Sequence, residues 1–321
     1  MGHMRKVEED QSNQLKRCYL PHHAVLKESS TTTKLRVVFD ASCKTSNGIS
    51  LNDALFVGPV IQRDLRAIIL RCRTYQVMIV ADIEKMFRQI NIDPKDAPLQ
   101  SILWRADENE NLATYELSTV TYGTKPAPFL ATRTLKQLAS DERERYPLAA
   151  KAVEEDMYID DLITGPDDVN TAIELRRQCE QMMSSGGFTL RKWASNVTAV
   201  LEGVAQESLA SPEIHEISWE LDQAVRTLGL TWLPKTDCLK FQFEIPPLLS
   251  NQSFTKRRVL AIIATLFDPL GLLGAVIITA KIFMQKLWTL CNEQHKHLQW
   301  DDTLPTEVQK NGEDSTGGYH F

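Results

Sequence analysis

The spacing of apolar positions in this chain changes several times, and each change marks an element. Val77-Met78-Ile79-Val80-Ala81 is a continuous apolar run that stops at Asp82, the pattern of a buried strand. Leu35-Arg36-Val37-Val38-Phe39 is a shorter β-branched run. Ala24-Val25-Leu26-Lys27 precedes it, and the polar stretch between the two reads as the tip of a hairpin. Residues 62–73 carry helical spacing, and Pro126 and Pro128 open a helix that runs through Leu138, because proline is tolerated in a first turn. Met157-Tyr158-Ile159 and Leu162-Ile163-Thr164 read as two short strands flanking a tight acidic turn, Asp160-Asp161. Asp167 or Asp168 caps the next helix, whose apolar stripe is Val169, Ile173 and Met183, and Gly186-Gly187 ends it. Residues Phe188 to Trp193 alternate as a strand should. After about residue 254 the chain turns helical and apolar, so the pattern as a whole predicts an α+β domain followed by a small helical one.

One stretch needs separate treatment. Residues 259–280 are apolar enough to suggest a membrane span, but Asp268 and Pro269 sit at the middle. A central Asp costs about 2.5–3.5 kcal/mol on insertion, and the proline breaks the helical ladder. Two buried helices joined at Asp268-Pro269 are expected instead, with no membrane partner. The 321 residues carry a formal net charge of -6, which disfavours binding to nucleic acid through bulk positive charge but not through metal ions and local basic patches. Six cysteines without a C-x-x-C pair indicate reduced thiols and an intracellular setting. Residues 1–18 and 301–321 are charged or polar and aperiodic, and are expected to be loosely ordered ends.

The acidic residues carry the chemistry. Asp82 ends a buried strand, where a charge is costly unless it is paired or bound to a cation. Asp160 and Asp161 are adjacent carboxylates between apolar walls, where like-charge repulsion asks for a cation as well. A strand-end Asp facing a hairpin Asp is what a two-metal phosphoryl-transfer site needs; a helix cap and a surface turn are the plainer alternative.

Five blocks occur in order: VADIEKMF (80–87), YGTKPAPF (122–129), YIDD (158–161), GFTLRKW (187–193) and LGLTW (228–232). They resemble the successive palm motifs of reverse transcriptases. LRVVFDAS (35–42), LRKWASN (190–196) and FDPLGLL (267–273) narrow the resemblance to the Pao/BEL group of long-terminal-repeat retrotransposons, over roughly residues 19–305. The resemblance implies a right-hand polymerase with an antiparallel palm sheet backed by helices, a fingers hairpin and a helical thumb. Fingers, palm and primer-grip hairpin would fill 19–245 and the thumb-like segment 254–300. It implies RNA- and DNA-directed DNA synthesis from deoxynucleoside triphosphates on a template-primer, with two Mg²⁺ ions and Mn²⁺ as the substitute. Asp82, Asp160, Asp161 and the Ile83 carbonyl would hold the metals.

By the same resemblance Phe87 is the steric gate against a 2′-hydroxyl, Arg36 and Lys192 contact the triphosphate, and Tyr122 and Gly123 border the nucleotide. Either Lys27 or Lys34 reaches the γ-phosphate. Tyr158, Gly229, Trp232, Lys256 and Arg257 would touch primer or template, whereas Arg71 and Arg73 read as solvated surface. RNase H, integrase and protease would be other parts of a retroelement polyprotein, in the cytoplasm, a virus-like particle or the nucleus. After about residue 305 the resemblance stops, with too few residues left for an RNase H fold. No Asp-Ser/Thr-Gly triplet supports an aspartic peptidase, since Asp314-Ser315-Thr316-Gly317 fails the spacing. A folded element fragment that binds nucleic acid without turnover remains the rival reading.

Overall fold

The computed structural model describes residues 2–7, 17–26, 34–210, 225–241, 254–291, 297–305 and 308. The hairpin tip with Lys27, most of the N-terminal segment and most of the C-terminal tail lie outside the described residues. The chain divides into two compact units, Met1–Glu220 and Leu221–Phe321. The hairpin around Gly229 therefore groups with the C-terminal helices, not with the residues that precede it.

The first unit contains strands β1 (Met4–Lys6), β2 (His22–Leu26), β3 (Leu35–Phe39), β4 (Ile79–Ile83), β5 (Ser101–Trp104), β6 (Ala113–Leu117), β7 (Met157–Tyr158), β8 (Asp161–Thr164) and β9 (Leu190–Ser195). Its helices are α1 (Leu51–Ala54), α2 (Leu65–Cys72), α3 (Ala127–Asp141), α4 (Pro147–Glu155) and α5 (Val169–Ser185). The central sheet has the order β7-β8-β4-β9 and is antiparallel throughout. Strand β4 lies in its interior, and all but Asp82 of its residues are buried, which is why its sequence is a continuous apolar run rather than an alternation. Val77, Ile79, Ala81 and Ile83 join a core with Ala131, Leu135 and Ala139 of α3, Ala149 and Val153 of α4, and Leu175, Cys179 and Met182 of α5. The small residues on these helices let their backbones approach the sheet and one another closely. Burial pushes the Cys179 thiol up to about 12, so it packs as an inert apolar group.

Helix α5 differs from its predicted stripe. Asp168 caps it and Gly186 ends it as expected, but Val169 and Ile173 are exposed, and the buried face is Ala172, Leu175, Gln178, Cys179, Met182 and Met183. Tertiary packing, not the local apolar spacing, decided which face of α5 is buried. Arg71 also differs from its solvated reading. Its Nη1 donates to Asp156 Oδ1 at 2.9 Å and to the Glu155 carbonyl at 2.8 Å. Asp156 is buried and accepts further bonds from the Tyr75 hydroxyl at 2.9 Å and the Thr164 hydroxyl at 2.8 Å. This filled network fastens α2 and the end of α4 to β8.

Two smaller sheets complete the first unit: the β2–β3 hairpin and the order β1-β6-β5. Buried Glu116 on β6 accepts from Arg5 Nη2 and Arg17 Nη1, each at 2.7 Å, so the described N-terminal residues are tied down by charge.

The second unit holds the meander β10 (Val225–Thr227), β11 (Leu230–Leu233) and β12 (Cys238–Lys240), then α6 (Lys256–Ala264) and α7 (Gly274–Thr289). Its core is Val259, Met284, Leu287, Leu298 and Leu304. The two helices are separated at Asp268-Pro269 as expected, and Asp268 caps the start of the following turn by accepting from the Leu272 and Leu273 amides at 3.1 and 2.6 Å. They are not the buried helices the apolar run predicts. Among the described side chains of α7 only Met284 and Leu287 are buried, whereas Val276, Ile278, Ile282 and Trp288 are exposed. No described helix is long and apolar enough to cross a membrane.

Candidate active site

Strand register assembles the acidic residues. Strands β4 and β8 pair from Ile79 opposite Thr164 to Asp82 opposite Asp161, which sets two carboxylates side by side on one face. Strand β4 continues one residue beyond Asp82, and β8 begins at Asp161, so the tight turn is Ile159-Asp160 rather than Asp160-Asp161. The Ile83 amide donates to the Asp160 carbonyl at 2.8 Å and holds that turn against β4. Burial pushes the Asp160 carboxyl above the usual carboxylate range, and the neighbouring charge of Asp82 adds to the effect while Lys192 opposes it.

Backbone strain is concentrated here. Ile159 has φ +54°, Lys85 φ +48° and Lys192 φ +56°, all left-handed and none glycine. A β-branched residue in that region costs about 1–3 kcal/mol and persists only where its surroundings over-determine it. Each lies at a bend that aims the site: the turn before Asp161, the exit from β4, and a bulge in β9. The bulge shows in the register, because Val80 faces Ala194 while Asp82 faces Arg191, leaving one extra residue on β9. Lys192 Nζ lies 2.9 Å from Asp82 Oδ2. The next acidic side chain, Glu84, is paired with Lys85 at 3.0 Å and with Arg191. Its carboxyl is held below the usual range by the Lys85 hydrogen bond foremost.

Phe87 follows in a 3₁₀ turn, Met86–Gln89, half-buried, with its ring centroid 6.4 Å from that of Tyr122. The Tyr122 ring is in turn 5.3 Å from Phe39 of β3. The Tyr122 hydroxyl donates to the Val37 carbonyl at 2.7 Å and accepts from Arg88 Nη2 at 2.9 Å. Tyr122 thus ties the hairpin to the turn that carries Phe87, a role its sequence position did not reveal. Gly123 (φ +94°) is required for a related reason: a Cβ there would sit 2.4 Å from the Phe39 carbonyl oxygen. Buried Asn52 was missed altogether. Its Nδ2 donates to the Gly123 carbonyl at 3.0 Å and its Oδ1 accepts from the Lys125 amide at 2.8 Å, fixing the turn at both ends. Its only sequence signal is the capping box that Ser50 and Asp53 form around it.

The remaining expected contacts are not all delivered. Arg36 is exposed on the face of the hairpin opposite to that of Phe39. Tyr158 is half-buried and pairs with Asp161 across the turn. In the second unit Leu228 and Gly229, at φ +49° and +77°, form a two-residue hairpin loop. Trp232 is fully buried, with Nε1 donating to Asp237 Oδ1 at 3.0 Å, so its ring is core and does not face a primer. Lys256 is corrected too. Its ammonium is buried, donates to the Leu298 carbonyl at 2.8 Å and lies over the Trp288 ring. Arg257 is held by both oxygens of Asp301, at 2.7 and 2.9 Å.

Among the described residues no group of three or more His, Cys, Asp or Glu side chains is placed to hold a metal ion. The coupled Asp82 and Asp160 carboxylates, with Asp161 beside them, nevertheless fit Mg²⁺. That ion is commonly held by one or two carboxylates, with substrate phosphates and water completing the shell. The lysine on Asp82 shows that this position favours a cation.

An antiparallel sheet backed by helices, with paired acids at the junction of its central strand and a tight hairpin, defines the palm class of nucleotidyl-transfer folds. The family model for reverse transcriptase (RNA-dependent DNA polymerase) matches residues 5–231. A second model, the Pao retrotransposon-like RNaseH-like domain, matches residues 255–317. The chain belongs to the reverse transcriptase family, in its Pao/BEL group. The second match corrects the expectation that resemblance ends near residue 305 with no RNase H-type segment, and it overlaps the stretch read as a thumb. No curated protein matches the sequence. Among solved structures, the foamy viral protease–reverse transcriptase dRH in complex with double-stranded DNA is similar, with a TM-score of 0.59 at 13% identity, over 98% of this chain. The chain spans 45% of that protein's length. At this identity the likeness establishes the α+β right-hand fold.

Proposed function

We propose that the chain copies RNA, and DNA, into DNA by adding deoxynucleotides to a primer 3′-end. The observation that carries this reading is the register of Asp82 against Asp161 with Asp160 in the adjoining strained turn, inside a chain of this family. Asp82, Asp160 and the Ile83 carbonyl would hold two divalent cations, with Asp161 keeping the site anionic. When bound, the ions supply activation of the primer 3′-oxygen and charge neutralisation at the pyrophosphate. Phe87 lies beneath the sugar and excludes a 2′-hydroxyl. Tyr122 and Gly123 shape the nucleotide's border, and Arg36 reaches the triphosphate from the hairpin. Lys192 donates a proton to the leaving pyrophosphate. Tyr158 and the Gly229 loop contact the primer backbone, and the helical stretch 254–300 serves as the thumb-like segment.

The test is primer extension on an RNA template with Mg²⁺ and deoxynucleotides. The wild type is expected to extend. Asp160→Asn is expected to lose about a thousandfold or more in rate, the equivalent of about 4 kcal/mol. Undiminished extension by the variant would overturn the metal assignment. No extension by either, with template-primer binding retained, would favour a grip without chemistry.

A further inference from the structure

The cation that the structure sets on Asp82 is a side chain of the same sheet. Lys192 Nζ bonds Asp82 Oδ2 at 2.9 Å, with 52% of the lysine side chain and 22% of the aspartate side chain exposed. Regular alternation along β9 would send consecutive side chains to opposite faces. Here Arg191 pairs with Glu84 and Lys192 with Asp82, so two consecutive basic residues serve the same acidic edge. The extra residue in β9 makes this possible, and it holds Lys192 at φ +56°, a conformation that a non-glycine residue adopts at a cost. Glu84 already has Lys85 and Arg191, so Lys192 is not needed there. The strained bulge therefore has one electrostatic product: an ammonium against the carboxylate that is coupled to Asp160.

We infer that Lys192 is a resident counter-ion of the carboxylate pair, occupying Asp82 in the cation-free chain and displaced from it when a divalent cation binds. The inference rests on the reading of Asp82 and Asp160 as metal ligands. It adds that the fold carries its own competitor for the metal position, released toward the substrate side only when the metal arrives. A chain built this way keeps Asp82 paired before substrate binding and couples the freeing of Lys192 to metal occupancy.

The experiment is calorimetric titration of the full chain with Mn²⁺, without nucleic acid or nucleotide. Lys192→Gly and Lys192→Asn both remove the ammonium and both accept a positive φ, so neither is expected to disturb the bulge. Each is expected to bind Mn²⁺ about three- to tenfold more tightly than the wild type, the span of a partly exposed ion pair. Lys192→Arg keeps the charge and is expected to match the wild type, while Asp160→Asn weakens binding in every background. Unchanged or weaker affinity in Lys192→Gly and Lys192→Asn, with Asp160→Asn still weakening binding, would overturn the counter-ion role and leave the metal site standing. Binding that is indifferent to Asp160→Asn would overturn the metal reading and this inference with it.

Discussion

Three residues decide what the site can do, and each is held by a different force. Asp160 is held at an electrostatic cost, because burial and Asp82 both oppose its ionised form. Its carboxyl in the folded chain therefore binds a proton more tightly than in the unfolded chain, and the wild type loses stability as pH rises through and above the ordinary carboxylate range. In chelator, Asp160→Asn should raise the melting temperature at pH 7 by about 2–4 °C for each kcal/mol of relief, with the gain shrinking toward pH 4. A differential scan at both pH values checks the sign, and a gain that is larger at pH 4 would refute it. Phe87 is held by packing against the edge of the core and by ring contact with Tyr122. Phe87→Ala should narrow discrimination against ribonucleotides by about 10- to 100-fold, read as the ratio of kcat/KM for the two sugars. Asn52, flagged in the sequence only by the capping box around it, acts through its two backbone partners on the turn at Gly123.

Elements matter here through register. Asp82 meets Asp161 only because β8 pairs with β4 without a slip, and a one-residue shift would send every side chain of β8 to the other face. Two devices pin that register. One is the Asp156 network with Arg71, Tyr75 and Thr164. The other is Gly165, just past β8, where a Cβ would sit 1.9 Å from the Val77 carbonyl oxygen. Backbone atoms that close leave no room to yield, so Gly165→Ala should destabilise the chain by about 3 kcal/mol or more, with a matching loss of extension activity. Denaturant midpoints of variant and wild type measure it, and a change under 1 kcal/mol would show that the strand ends shift freely.

For the whole molecule, two units with separate cores mean that each can lose stability on its own. Leu287 is fully buried in the core of the second unit. Leu287→Ala should cost about 2–5 kcal/mol there, seen as lost hydrogen-exchange protection in α6 and α7 while β4 keeps its own. The sequence by itself determined the β2–β3 hairpin, the central strands β4, β7, β8 and β9, and the helices α2, α3 and α5, since period, caps and prolines are local signals; β1, β5, β6, α1 and α4 came only with the structure. It also determined the acidic triad, because its residues stand in two short motifs. Only tertiary structure decided that the turn is Ile159-Asp160, that Lys192 faces Asp82, that Tyr122 links hairpin to gate, and that Trp232 and Lys256 are buried. Those outcomes depend on which strand pairs with which, where a bulge falls and which face finds a partner. These are contacts between residues far apart in the chain, and the local pattern of hydrophobic and polar positions does not encode them.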